Sequence, residues 1–220
     1  MKLLLIALAS LSTSALANPI VTAVVEKTWE RCVISAGAES STVSCAVGYR
    51  GKAHLNEFLI VTVPVILPWS LEADPAKALA SVRARLEIGG TILEATGITF
   101  GTVPSDPLLP AGTVKASLRF LVGVPSKTFA MVVSYEQPTI DGKVFYLPQF
   151  EEGKNPKDYS EFSVSIFPTD RGLLTLESKH KEEATSFATR VTVKPVHNEI
   201  IKIGYNREQV APSDGDKPAN

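Results

Sequence analysis

The sequence lacks the short motifs that carry the commonest enzyme chemistries. It contains no Gly-x-Ser-x-Gly nucleophile turn, no Gly-x-x-x-x-Gly-Lys phosphate loop, no Gly-x-Gly-x-x-Gly dinucleotide turn and no His-Glu-x-x-His zinc helix. Its three histidines, His54, His180 and His197, are far apart in the chain, and each lies in a polar stretch. We therefore predict no catalytic residue, no metal ligand, no cofactor-binding residue and no cofactor. An enzyme is the less favoured class.

Adjacent acidic pairs are also scarce. Glu151-Glu152 and Glu182-Glu183 both fall where the sequence predicts exposed loops or turns. Solvated acidic residues are common in such places, whereas glycoside chemistry needs two carboxyl groups set across a cleft. A secreted hydrolase, with a site that only the tertiary structure assembles, is kept as the alternative function.

The chain has no excess of charge of either sign. Its 22 lysine and arginine residues oppose 23 aspartate and glutamate residues, for a formal net charge of −1. Without a basic run, the sequence has no electrostatic footprint for nucleic acid or for an anionic membrane surface. No stretch reaches the roughly 18 uncharged residues that a membrane-spanning helix needs. We predict no nucleic-acid partner and no transmembrane segment.

The first residues have the pattern of a secretory signal. Lys2 precedes an apolar run from Leu3 to Leu11, and Ala15-Leu16-Ala17 has the small-x-small form that signal peptidase recognises. We predict that residues 1–17 are a signal peptide and that the mature protein is secreted or periplasmic. An amphipathic surface helix is the poorer interpretation because this segment has no polar face.

Cysteine is rare, and its two occurrences are close together. Cys32 and Cys45 flank Gly37-Ala38-Glu39-Ser40 in what the alternation predicts to be a β-hairpin. A symmetric register places the two cysteines directly opposite each other, and disulfides persist in exported proteins. We predict a Cys32–Cys45 disulfide. Two free buried thiols, or a metal-binding or redox pair, are the alternatives, although the spacing matches no such motif.

The clearest strand signal lies between residues 114 and 136. Large apolar residues recur at every second position on both sides of Gly123 to Thr128, with the period of two of a half-buried strand. The apolar set is Val114, Ala116, Leu118, Phe120, Val122, Phe129, Met131, Val133 and Tyr135. We predict a hairpin that pairs Phe120 with Met131 and Leu118 with Val133, and whose apolar face packs on another sheet.

Turn signals divide the rest of the chain into short elements. Asp74-Pro75 precedes strong helix formers, which predicts a short helix near 75–80, and Gly89-Gly90 predicts a tight hairpin loop. Pro64 lies within an apolar strand, which either breaks there or turns that position toward an edge or a bulge, and we expect a bend at Pro64. Three prolines make residues 102–112 an expected internal boundary.

Strand signals spaced by roughly 8 to 15 residues are typical of an all-β protein. We predict an immunoglobulin-like antiparallel β-sandwich over residues 18–205, as one large or two small sandwiches, followed by a disordered tail over residues 206–220. The resemblance to immunoglobulin-like exported proteins is one of fold and implies no activity.

Binding is the favoured function. Tyr146, Phe150 and Tyr159 flank a polar loop at residues 147–158, and Trp69 ends its strand. Aromatic residues in loops at one end of a sandwich are typical of recognition surfaces, so these three flanking residues are the candidate binding residues. Trp29, Phe120 and Phe162 are predicted to be core residues instead. The predicted function is a binding or assembly module of the cell envelope or extracellular space, with a protein or glycan partner.

Overall fold

The computed structural model describes most of the chain between residues 20 and 207. It describes residues 20–21, 25–51, 58–101, 111–123, 128–148, 154, 156–169, 172–177, 191–193 and 200–207. The predicted signal peptide, Phe150, the three histidines, the two adjacent acidic pairs and the chain beyond Arg207 lie outside these residues.

Fourteen strands and one α-helix form the described part of the chain. The strands are β1 (Ile20–Val21), β2 (Val25–Ala36), β3 (Ser40–Gly51), β4 (Phe58–Pro68), β5 (Arg85–Ile88), β6 (Thr91–Glu94), β7 (Gly97–Gly101), β8 (Thr113–Gly123), β9 (Thr128–Pro138), β10 (Lys143–Tyr146), β11 (Glu161–Pro168), β12 (Gly172–Glu177), β13 (Val191–Val193) and β14 (Ile201–Arg207). The helix, α1, covers Pro75–Val82. The predicted all-β class is confirmed. The last strand includes Asn206 and Arg207, whereas the disordered tail was predicted to begin at Asn206.

These strands form three sheets. Their orders are β13-β11-β2-β3-β9-β5-β6, β1-β4-β8-β7 and β10-β14-β12. Neighbouring strands run antiparallel except β2 and β11, which are parallel and pair Trp29 with Glu161 through to Ala36 with Pro168. A wholly antiparallel arrangement is therefore not what the chain adopts.

The predicted hairpin between β8 and β9 is wrong. β8 pairs with β4 and β7, whereas β9 pairs with β3 and β5, so the two strands lie in different sheets. The predicted apolar faces are nevertheless correct, because all nine alternating residues are buried in one core. Alternation determines which face of a strand is buried but not which strand lies beside it.

The core draws on all three sheets and on α1. Leu118 and Phe120 of β8, Val47 of β3, Val82 of α1 and Ile203 of β14 belong to one cluster of buried residues. The pairs β4–β8 and β3–β9 each join strands from opposite sides of the predicted boundary at 102–112. Strands on both sides of this range therefore contribute to the same core.

The disulfide hairpin forms in the predicted register. Cys32 lies opposite Cys45 in the β2–β3 pair, next to Ile34 opposite Val43. The two cysteines are bonded, with their Cα atoms 4.1 Å apart. The prediction of a disulfide is confirmed, and neither cysteine is free.

Local capping and turn chemistry also operate as predicted. The Asp74 carboxylate accepts a hydrogen bond from the Lys77 backbone N–H at 3.0 Å and caps α1, which extends past the predicted end to Val82. Gly89 and Gly90 both have positive φ, at 56° and 79°, as a tight hairpin loop requires. β4 is not broken at Pro64, because its register with β8 continues through that residue.

The packing predicts the cost of emptying the core. Phe120 is completely buried, and Phe120→Ala should lower the free energy of unfolding by about 3 to 5 kcal/mol because it leaves a cavity between the sheets. Leu121, its neighbour in β8, is 48% exposed on the opposite face. Leu121→Ala is the matched control and should change stability by less than about 1 kcal/mol in the same denaturant titration. Equal effects of the two substitutions would contradict this placement of the core.

Candidate functional site

A bulge in β2 places an unusual pair of charged side chains inside the protein. The register between β2 and β3 shifts between Lys27 and Trp29, so the alternation of faces changes at this point. Lys27 and Glu30 consequently share the inward face although they are three residues apart, and both are buried. Trp29 is turned to the opposite, outer face, where it lies over Gly48 of β3. A Cβ atom at residue 48 would overlap the Trp29 indole ring.

The two charged side chains meet beside the disulfide. Lys27 Nζ lies 2.7 Å from Glu30 Oε2, and Glu30 Oε1 lies 3.1 Å from Cys32 Sγ. Tyr146 reaches the same place from β10, with its hydroxyl 3.0 Å from Cys32 Sγ and 3.4 Å from Glu30 Oε1. The Tyr146 hydroxyl donates to Glu30 Oε1, and the disulfide sulfur, which carries no proton, lies beside that hydroxyl. We call Lys27, Glu30, Tyr146 and the disulfide the buried polar cluster.

Two aromatic rings enclose the lysine of the buried polar cluster. Lys27 Nζ lies 5.1 Å from the centre of the Tyr159 ring and 5.1 Å from that of Phe162, distances suited to cation–π attraction. The two rings also contact each other in a tilted arrangement, with centroids 5.6 Å apart. The ammonium group is thereby held among aromatic faces and a carboxylate instead of water.

The protonation of the cluster depends on opposing effects. Burial raises the pKa of the Glu30 carboxyl group, and the adjacent Lys27 ammonium together with the Tyr146 hydroxyl acts to lower it. The net direction is upward, so the neutral acid is easier to form at Glu30 than at an exposed glutamate. A buried carboxyl group with a raised pKa is a familiar feature of functional sites and also of purely structural ion pairs.

Metal binding does not fit this cluster in its bonded form. Ligand atoms of Glu30, Cys32 and Cys45 lie within 4.8 Å of one another. However, a metal ion is bound by thiolate sulfur, and these two sulfurs are joined in a disulfide. Within the described residues, the donor set is therefore one carboxylate already paired with Lys27.

Two of the three predicted binding residues, Tyr146 and Tyr159, are buried. Tyr146 is 1% exposed and belongs to the main core, and Tyr159 is 7% exposed and contacts Phe162. Phe150 lies outside the described residues. A binding role for the three residues stays a prediction, while the burial of Tyr146 and Tyr159 favours a role in packing.

Among the described residues, the outer face of the seven-stranded sheet carries several exposed or half-buried large side chains. Trp29, Arg31 and Val33 follow one another along the outer face of β2, and the Arg31 guanidinium lies 5.7 Å from the Trp29 ring. Val33 is 43% exposed, although it occupies a central strand of the sheet. The prediction that Trp29 is a core residue is thus wrong, since it is half-buried on this outer face.

Strand register extends this surface across the sheet. Arg31 lies opposite Ala46, Ala46 opposite Val132, Val132 opposite Glu87, and Glu87 opposite Ile92. Val132 is one-third exposed and Ile92 is 64% exposed, and small side chains such as Ala46 separate them from Arg31. We call Trp29, Arg31, Val33, Val132 and Ile92 the outer-face patch. The outward direction of Trp29 and Val33 could have been predicted from the sequence. Both have odd numbers, whereas Cys32, whose side chain points inward, has an even number in the same strand.

An open depression lies between α1 and the β5–β6 hairpin. It has a volume of about 390 Å³ and is lined mainly by alanines and Leu79, with Arg83, Arg85 and Glu94 at its margin. The Arg83 guanidinium pairs with Glu136 at 3.5 Å, and both side chains are substantially exposed. The groove is open and its charged groups are solvated, so it offers weaker grounds for a site than the outer-face patch.

No protein-family model matches the chain, and no curated protein matches it. Solved structures show weak likenesses. They include a "putative nutrient binding protein" of Legionella pneumophila (TM-score 0.46, 10% identity, 87% of this chain and 66% of that one), an M1 zinc metallopeptidase of Deinococcus radiodurans (0.36, 8%, 84% and 43%) and yeast LTA4 hydrolase (0.42, 12%, 90% and 31%). This chain therefore spans less than two thirds of each of these proteins. The scores are too low to support any argument about function.

Within the described residues, no helix is both long enough and apolar enough to cross a bilayer.

The buried ion pair generates a stability prediction. Lys27→Met removes the partner of a fully buried carboxylate and should lower the free energy of unfolding by about 3 to 5 kcal/mol at neutral pH. The loss should be smaller below the ordinary glutamate pKa of 4.5, because Glu30 is then neutral in both folded and unfolded chains. As pH rises, the unfolded chain ionises first, so the stability of this variant falls until the raised folded pKa is passed.

Denaturant titrations at acidic and neutral pH, each referred to the wild type, measure this difference. Lys154→Met is the matched control, since Lys154 pairs at 2.9 Å with the exposed Glu26 and should contribute less than about 1 kcal/mol. A Lys27→Met penalty no larger than that of the control, or one independent of pH, would contradict the described burial of the pair.

Proposed function

We propose that this protein is an exported binding or assembly module of the cell envelope or extracellular space, and that the outer-face patch contacts its partner. The observation that carries the proposal is one sheet face on which Trp29 is half-buried and Arg31, Val33, Val132 and Ile92 are exposed. Tryptophan and arginine are the residue types most enriched at the energetic centres of protein interfaces.

The side chains of the patch favour a protein partner over a glycan. Its aliphatic side chains, Val33, Val132 and Ile92, offer no polar groups for sugar hydroxyls but suit the desolvated centre of a protein interface. Ser44, Ala46 and Ser134 lie between them on short side chains, so a partner can approach the sheet closely. The Arg31 guanidinium is paired with Glu161, and the exposed Glu87 lies between Val132 and Ile92, so one further carboxylate stands within the patch.

Export and sandwich type belong to the same proposal. The signal-like N-terminus and the Cys32–Cys45 disulfide both support a secreted or periplasmic location. Opposed sheets around one core support an immunoglobulin-like sandwich, from which the parallel β2–β11 pair is a departure. The alternative, a secreted hydrolase, gains no support from the described residues. Glu30, a buried carboxyl group with a raised pKa, is enclosed and paired with Lys27.

The patch should be tested by comparing capture by matched variants. The immobilised mature protein is exposed to an envelope extract of its source organism, and captured proteins are identified by mass spectrometry. Trp29→Ala combined with Val132→Lys should reduce recovery of the specific partner by about 10-fold or more, equivalent to about 1.4 kcal/mol. Leu121→Lys, which adds a charge to the exposed face of the four-stranded sheet, should leave recovery unchanged.

Circular dichroism melts keep folding separate from binding. Both variants should retain a cooperative transition, because the substituted side chains lie outside the fully buried core. A partner that is lost with Leu121→Lys but retained by the outer-face variant would place the interface on the other sheet and overturn the proposal.

A further inference from the structure

We propose that Lys27 and Glu30 are the two halves of an intramolecular isopeptide cross-link, formed by condensation of the lysine amine with the glutamate carboxyl group inside the buried polar cluster. The two groups are held at hydrogen-bond distance, Nζ 2.7 Å from Oε2, and their side chains are 1% and 0% exposed. This inference is independent of the proposed binding function.

Proximity supplies the first requirement of the reaction. An amine and a carboxylic acid do not condense readily in dilute water, but groups fixed in contact react as if at effective concentrations of about 10⁵ M or more. The β2 bulge fixes this pair, because it turns Lys27 to the same face as Glu30 at a separation of three residues. The side chains therefore meet without any movement of the strand.

The second requirement is that both groups become neutral. A proton passes from Lys27 Nζ to Glu30 Oε2 along the hydrogen bond that joins them. Burial, which raises the pKa of the Glu30 carboxyl group, favours the neutral acid that this transfer produces. Lys27 Nζ then has a lone pair with which to attack. The protonated Oε2 of Glu30 is a better leaving group than an oxide ion.

The third requirement is stabilisation of the charge that develops on the carboxyl group. When Nζ bonds to Cδ, negative charge develops on Oε1, and the Tyr146 hydroxyl lies 3.4 Å from that atom. A donor positioned there stabilises the tetrahedral adduct, as an oxyanion hole does. The Cδ–Oε2 bond then breaks, and Oε2 leaves as water with the transferred proton and a second proton from Nζ. The balance is one new C–N bond and one released water, with no oxidation or reduction.

The fourth requirement is protection of the product. Tyr159 and Phe162 cover the lysine Nζ from one side, and the Cys32 sulfur lies against Glu30 Oε1 on the other. Water that would hydrolyse the amide is largely excluded from such a site. The cross-link would also close a covalent ring across the bulge, so that Lys27 and Glu30 would stay on the same face of β2.

Mass spectrometry of the full mature chain, with its disulfide intact, tests the proposal directly. The expected mass is lower by one water than that of the disulfide-bonded sequence. Trypsin should fail to cleave after Lys27 and should yield a peptide that continues through Arg31 and lacks one water. A wild-type protein with the unreduced mass of the plain disulfide form, or with ordinary cleavage after Lys27, would overturn the proposal.

Two variants connect the mass change to these side chains. Lys27→Arg keeps a cation opposite Glu30 but replaces the amine by a weakly nucleophilic guanidinium, so it should show the full mass. Tyr146→Phe keeps both reacting groups and removes the donor to Oε1, so freshly folded protein should acquire the mass change at least several-fold more slowly than the wild type. A mass change that survives Lys27→Arg would place the modification elsewhere, and an unchanged rate in Tyr146→Phe would remove the role given to its hydroxyl.

Discussion

Burial of the inward faces of the four-stranded and seven-stranded sheets holds this protein together. β8 and β4 contribute one wall of the core and β3 and β9 the other, so every large side chain between them is removed from water. The three-stranded sheet joins the same core through Tyr146 and Ile203, and α1 does so through Ala78 and Val82.

Local features of the sequence were enough to predict local structure. The Asp74 cap, the Gly89-Gly90 loop and the alternation of β8 and β9 each depend on residues close together in the chain. The Cys32–Cys45 register was predictable for the same reason, because a short turn leaves few ways to pair the flanking strands. No local feature of the sequence determines that β8 and β9 belong to different sheets. An apolar strand face is buried equally well when the two strands are neighbours in one sheet and when they lie in opposed sheets.

The candidate sites were less predictable than the fold. Tyr146 and Tyr159 stand next to a polar loop in the sequence, but their rings turn into the core and pack around Lys27, Glu30 and the disulfide. A bulge is what brings a lysine and a glutamate three residues apart onto one face, and a single sequence contains little sign of it. Trp29, by contrast, was recoverable from parity, because Cys32 fixes the inward side of β2 and Trp29 has the opposite parity.

The parallel pairing of β2 with β11 bears on how the chain reaches its native state. β2 is near the beginning of the protein and β11 is near its end, yet they are neighbours within the largest sheet. Contacts between such distant segments close large loops, which slows folding. Until β11 arrives, one edge of β2 presents unpaired backbone groups that another chain could join. Pairing of β2 with β11 therefore closes that edge only once the chain through β11 is available, and the same contact that completes the largest sheet also removes a site for pairing with another chain.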